Sequence, residues 1–215
     1  MATTTPTAAA PSAVQEATSF VVMVTGQIES GRYEGLDSLY CRYTFAHGDD
    51  WQVARGVEEG ITQMSTAGGS RATDGVDLAV WNFPVDVTFR ATGAYGWPQI
   101  VLSVYGTDAF GRSDMIVGYG SAHLPMAPGR HEIYVRTFRP LASSLFQRLN
   151  SWVFGQRPEF RDSQFASKSE GRDVTRVQSL GCVKVVVDVT LQGMEQLGYS
   201  VAPAVRPTVR LGMAP

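Results

Sequence analysis

Cysteine, histidine, asparagine and lysine are all scarce in this sequence. Its 215 residues include two cysteines, Cys41 and Cys182, three histidines, two asparagines and two lysines. Two thiols this far apart make neither a disulfide framework nor a Cys-x-x-Cys metal or redox motif. Neither Asn82 nor Asn150 opens an Asn-x-Ser/Thr acceptor, and no basic segment followed by an apolar run stands at the start. Nothing therefore asks for an oxidising compartment, and the expectation is an intracellular, cytoplasmic protein. No apolar run approaches the ~20 residues that would cross a bilayer as a helix. The formal net charge is −2 and the pI is near 5.9, which leaves no broad basic field for nucleic acid.

Catalytic patterns are missing as well. There is no P-loop, no Gly-x-Gly-x-x-Gly opening a helix, no His-Glu-x-x-His and no Gly-x-Ser-x-Gly. His47, His123 and His131 are far apart, and none lies at ligand spacing from another His or Cys. They read as solvent-facing or structurally satisfied residues, and Cys41 and Cys182 as small thiols in or beside strands. No catalytic, cofactor-binding or metal-ligating residue is assigned, so the expectation is a protein without enzymatic activity or cofactor.

What is present is a globular composition, 44% apolar, 10% aromatic and 18% charged, in a pattern of period two. Phe20 to Val24 opens a strand. Val85, Val87 and Phe89 alternate with Asp86, Thr88 and Arg90, and Ile100, Leu102 and Val104 with Val101, Ser103 and Tyr105, as half-buried strands do. Val183, Val185, Val187, Val189 and Leu191 form one apolar face against Lys184, Val186, Asp188 and Thr190. With 22 glycines and 11 prolines between short strands, the fold expected is an all-β antiparallel sandwich of about eight strands. One amphipathic helix is inserted over 141–154, where Leu141, Leu145, Leu149 and Trp152 or Val153 fall on one side between Pro140 and Gly155. Residues 1–17 and 200–215 read as disordered tails around a domain at 18–199, and 65–78 as a long mobile loop.

The strand Gln99 to Gly106 runs into a loop with Asp108 and Asp114, similar to the third loop of C2 domains, and Asp37-Ser-Leu-Tyr-Cys-Arg42 resembles the first acidic loop. Calcium takes six to eight oxygens. Asp37, Asp108 and Asp114 fall short of that, since Gly106 stands at the first position of the Asp-x-Asp pair. A more specific likeness lies in Val80-Trp-Asn-Phe-Pro-Val-Asp-Val-Thr-Phe89, Tyr95-Gly-Trp-Pro-Gln99, Gly118-Tyr-Gly120 and Pro128-Gly-Arg-His131. It continues in Asp50-Trp51, Gly56-Val-Glu-Glu-Gly-Ile61, Arg157-Pro-Glu159, Gly171-Arg-Asp-Val-Thr-Arg176 and Leu197-Gly-Tyr199. Together these resemble the B9-domain family over about 18–199.

The resemblance implies a C2-like sandwich and a structural role at the cilium base, in the basal body and transition zone. There B9-domain proteins assemble with one another and join the membrane-linked tectonic-like (Meckel syndrome) complex, which supports ciliogenesis and limits membrane-protein diffusion. It implies other B9-domain proteins and transition-zone membrane-linked proteins as partners, with peripheral membrane contact and no nucleic acid. The alternative is a C2-type peripheral phospholipid-binding module, calcium-assisted, working through Asp37, Asp108 and Asp114.

Binding by a scaffold rests on aromatic and Arg anchors. Tyr95 and Trp97, in the turn Gly93 to Pro98, are expected to fold back over the sandwich end, and Trp81 and Phe83 to lie in the core. The helix carries Arg148, with Arg139, Arg157 and Arg161 around it. Its apolar side is expected to cap the sandwich.

Overall fold

The period-two alternation becomes an antiparallel sheet. The computed structural model describes residues 18–36, 38–66, 78–107, 115–140 and 177–201. Its strands are β1 (Phe20–Tyr33), β2 (Leu39–Ala46), β3 (Gln52–Gly56), β4 (Glu59–Ile61), β5 (Leu78–Ala91), β6 (Gln99–Gly106), β7 (Met115–His123), β8 (Gly129–Pro140) and β9 (Val177–Gln192), followed by a 3-10 turn, Glu195–Leu197. The strand order is β3-β5-β1-β9-β8-β7-β6-β2-β4, and every neighbouring pair is antiparallel. Among the described residues nine strands stand where alternation suggested about eight. The short β3 and β4 bury no residue completely, so they carry no apolar rhythm to read.

In β9 the expected face is realised, with Val183, Val185, Val187 and Val189 at most 1% exposed while Asp188 and Thr190 point outward. β6 departs from the half-buried expectation. Ile100, Leu102 and Val104 enter the main core, yet Val101 and Ser103 on the other face are also buried. Val101 joins Ile116 and Tyr119 in a second cluster, with Tyr105 and Phe138 beside it.

The sheet curls until its two edges meet, giving the sandwich. Tyr43 and Phe45 of β2 lie against Phe83 and Phe89 of β5, with ring centroids 6.0 and 5.5 Å apart, although the two strands are far apart in the sheet order. The edges belong to one stretch of chain: β3 pairs with β5, β4 pairs with β2, and only Val57 and Glu58 lie between. At that corner the Val57 N–H donates to the Asp86 carbonyl and the Phe45 N–H to that of Glu58. Gly56 has φ +98°, and a Cβ there would overlap the Asp86 carbonyl, so only glycine makes the bend. Beyond β4 the same segment continues the seam. The Cys41 N–H donates to Thr62 Oγ1 (2.9 Å), Gln63 Nε2 to the Trp81 carbonyl (2.6 Å), and the Val80 N–H to Ser65 Oγ (3.1 Å). Residues 52–65 thus line the sides of β5 and β2 that would otherwise offer bare ladder groups to another chain.

Strand direction sends the end of β1, the start of β2, the end of β6 and the start of β7 to one end of the sandwich and residues 47–51, 92–98, 124–128 and 193–201 to the other. Asp37, Asp108 and Asp114 lie outside the described residues, as do the expected helix at 141–154 with Arg148, Arg157 and Arg161, most of the 65–78 loop, and residues 1–17 and 202–215.

Candidate interaction surface

The end that carries residues 92–98 is built around an aromatic cluster. Trp51 meets Phe20, Phe89 and Trp97 edge-on, at centroid distances of 5.4, 6.2 and 5.0 Å. Such pairs add about 0.5–1.5 kcal/mol each beyond their burial. Trp97 folds back as expected, 5% exposed, its indole N–H donating to the Leu124 carbonyl at 2.9 Å.

Tyr95 does not fold back. Its side chain stands 94% exposed, because the loop is held by its backbone. The Trp51 indole N–H donates to the Tyr95 carbonyl at 2.8 Å, and the Gly48 N–H to the Gly96 carbonyl at 2.9 Å. The carbonyl of Tyr95 is thereby committed to the interior and its ring is left outside. Gly96 has φ +72° and lies so close to Gly48 that a Cβ would stand 2.6 Å from the Gly48 Cα.

Asp50 fastens the other side of the loop. Its carboxylate accepts the Thr92 N–H (2.8 Å), the Thr92 hydroxyl (2.8 Å) and the Gly93 N–H (2.7 Å). The Thr92 hydroxyl and these two amides favour the charged form and hold the carboxyl below its ordinary range. The Ala94 N–H donates to Tyr199 OH at 3.3 Å, and the Tyr199 ring meets Phe20 edge-on. The next loop is tied on by the Leu124 N–H, which donates to the Pro98 carbonyl at 3.0 Å, and it exposes Met126. A shallow cleft of about 410 Å³ adjoins it, lined by Pro128, Leu191, Met194, Glu195 and Val201 among others.

A second run of exposed apolar side chains, Val57, Ile61, Met64 and Val80, follows the seam. The outer face of β1, β9 and β8 mixes exposed Met23 and Tyr134 with charged side chains. There Lys184 lies 3.0 Å from Glu29 and 3.5 Å from Glu132, and the Glu29 hydrogen bond first among these raises its pKa.

The other sequence candidates among the described residues sit within the framework of the fold. Trp81 is buried and Phe83 half-buried against the core. Arg139 on β8 donates to Gln178 Oε1 at 3.2 Å. His47 sits edge-on to Phe89, and His131 Nε2 lies 2.8 Å from the Ala127 carbonyl. Cys41 and Cys182 are free thiols, and burial pushes that of Cys41 far up. Among the described residues no three His, Cys, Asp or Glu side chains gather as a metal site, and no helix is long and apolar enough to cross a membrane. Met126 escaped the sequence reading because Leu-Pro-Met-Ala-Pro has no periodicity. Asp50 was visible only within the Asp-Trp pair of the family likeness.

Comparison with known proteins places this architecture. A family model described as ciliary basal body-associated, B9 protein (B9-C2) matches residues 22–190. B9 domain-containing protein 1 of Xenopus laevis is 47% identical over 192 residues, covering 89% of this chain and 94% of the relative. The human protein of that name is 46% identical over 185 residues, covering 86% and 88%. B9 domain-containing protein 2 of Bos taurus is 32% identical over 177 residues, covering 82% and 97%.

Proposed function

The chain belongs to the B9-C2 family of ciliary basal body-associated proteins, and on that premise we propose that it is a non-enzymatic structural subunit at the cilium base. In this reading it assembles with other B9-domain proteins within the transition-zone tectonic-like (Meckel syndrome) complex. It thereby supports ciliogenesis and the barrier to membrane-protein diffusion. Its place is cytoplasmic and cytoskeletal, at the basal body and transition zone, with peripheral contact to membrane-linked partners.

The observation that carries this reading is the full exposure of Tyr95 on a loop pinned by Asp50, Trp51 and Gly48. A rigid, solvent-facing aromatic is an anchor for another surface. A catalytic cleft would instead gather acid, base or nucleophilic groups. The polar groups of this end serve the loop itself. Relatives carrying the names B9 domain-containing protein 1 and B9 domain-containing protein 2 show that at least two such domains exist to be combined.

The test is co-purification of the tagged full chain from ciliated cells, in calcium and in chelator, with Asp108→Asn/Asp114→Asn alongside. Recovery of other B9-domain proteins in every condition supports the subunit reading. A chain recovered alone, reaching membranes only with calcium and intact aspartates, overturns it in favour of a phospholipid-binding module.

A further inference from the structure

We propose that the end of the sandwich formed by residues 47–51, 92–98, 124–128 and 193–201 is a protein-docking surface anchored by Tyr95, and that it takes a partner presenting an apolar pocket edged by Arg or Lys. The inference rests on the subunit reading above and names the surface that reading needs.

Three observations carry it. The first is exposure. Tyr95 and Met126, 94% and 62% exposed, project from two loops that the Trp97–Leu124 and Leu124–Pro98 hydrogen bonds tie together. Burying a tyrosine ring and a methionine in a pocket removes large apolar area from water, while the phenol keeps a polar tip for the pocket rim.

The second is preorganisation. The Tyr95 loop is fixed by the Asp50 carboxylate, the Trp51 indole, the Gly48 amide and the Tyr199 hydroxyl. Its backbone has little freedom left to lose on binding, and the ring itself has only two side-chain torsions to order. The ring takes almost no part in the fold, so its removal leaves the loop backbone and its hydrogen bonds in place.

The third is charge. These four stretches contain Asp49, Asp50 and Glu195 and no Lys or Arg, with exposed Arg90 and Arg130 standing two residues outside them. The loops themselves are acidic, which disfavours an anionic bilayer and attracts a basic protein surface. The same charge disfavours a second copy of this end docking face to face, since like charges would meet. The seam patch of Val57, Ile61, Met64 and Val80 has no such bias, because the neighbouring Arg42 and Glu59 pair with each other at 2.8 Å.

The test uses the full chain and, as probe, purified B9 domain-containing protein 2 of the same organism, titrated by calorimetry at two salt concentrations. Variants are Tyr95→Ala, Tyr95→Phe, Asp49→Lys and, on the seam, Ile61→Ser, each checked by thermal unfolding. Tyr95→Ala is expected to weaken binding about thirty-fold at an unchanged unfolding midpoint. Tyr95→Phe and Ile61→Ser should remain within about threefold of the unsubstituted chain. Added salt and Asp49→Lys should each weaken binding. If the unsubstituted chain binds and Tyr95→Ala binds equally well, the docking surface is refuted while the subunit reading stands. If the unsubstituted chain does not bind the probe, the subunit reading fails for this partner and the inference falls with it. Binding to phosphatidylserine vesicles that Tyr95→Ala abolishes would assign the surface to membrane and overturn the proposal.

Discussion

The indole N–H of Trp81 on β5 donates across the core to the backbone carbonyl of Leu39 on β2, at 3.0 Å. The two strands are six places apart in the sheet order β3-β5-β1-β9-β8-β7-β6-β2-β4, so this bond exists only because the sheet curls onto itself. The same ring rests on Gly31 of β1, where a Cβ would lie 2.5 Å from the Trp81 Cη2 atom.

Gly31→Ala therefore drives a methyl group into the ring that spans the sandwich. Overpacking of this kind costs about 1–3 kcal/mol. Urea unfolding should show a lower midpoint at an unchanged slope. Trp81→Phe relieves the clash but loses the cross-core bond, so the double variant should recover less than the full difference.

Gly56→Val tests the seam. The new residue would hold φ +98° and overlap the Asp86 carbonyl, where the chain passes from β3 to β4. A loss of at least about 2 kcal/mol is expected. Hydrogen exchange at the Phe45 and Val57 amides, which bond to Glu58 and Asp86, should rise more than exchange in β9.

Asp50 links loop order to pH. Its folded pKa lies below the unfolded value of about 3.9, so its contribution is fully present above that value and is lost as pH falls through the lower folded one. Thermal melts between pH 7 and 2.5 should show Asp50→Asn less stable at neutrality and with a flatter acid limb than the unsubstituted chain. Equal slopes for both would remove the Asp50 hydrogen bonds as a source of acid sensitivity.

The two thiols should separate by reactivity. The thiolate is the nucleophile, and burial raises the Cys41 pKa and closes access to it, while Cys182 is half-buried. Iodoacetamide at pH 8 followed by peptide mass mapping should find Cys182 labelled in the native protein and Cys41 only after unfolding.

Much of this was legible in the residues themselves. Val183 to Val189 and Val85 to Phe89 alternate with period two because one face of each strand meets the core, and the structure buries the expected faces, although Val186 and Thr88 on the opposite faces are covered as well. The B9-type runs around Trp81 and Trp97 mark rings that lie in that core. Residues 52–65 were not legible as strands. β3 and β4 are short, and what holds them is backbone pairing to β5 and β2, a corner glycine and the Arg42–Glu59 ion pair, none of which leaves a periodic trace. The second burial of β6 was hidden for a related reason, since Val101 and Ser103 read as an outward face until Ile116 and Tyr119 lie beside them.

Tyr95 and Trp97 divide the two kinds of information most clearly. Composition and alternation by themselves determined an all-β chain with a large aromatic core, because burying apolar area is a property each residue carries locally. Only the tertiary structure decided that Trp97 turns in and Tyr95 turns out, two residues apart in one Gly-rich turn. That choice belongs to Trp51, Gly48 and Asp50, which take hold of the loop backbone from more than forty residues away in sequence and leave one ring no place but the solvent.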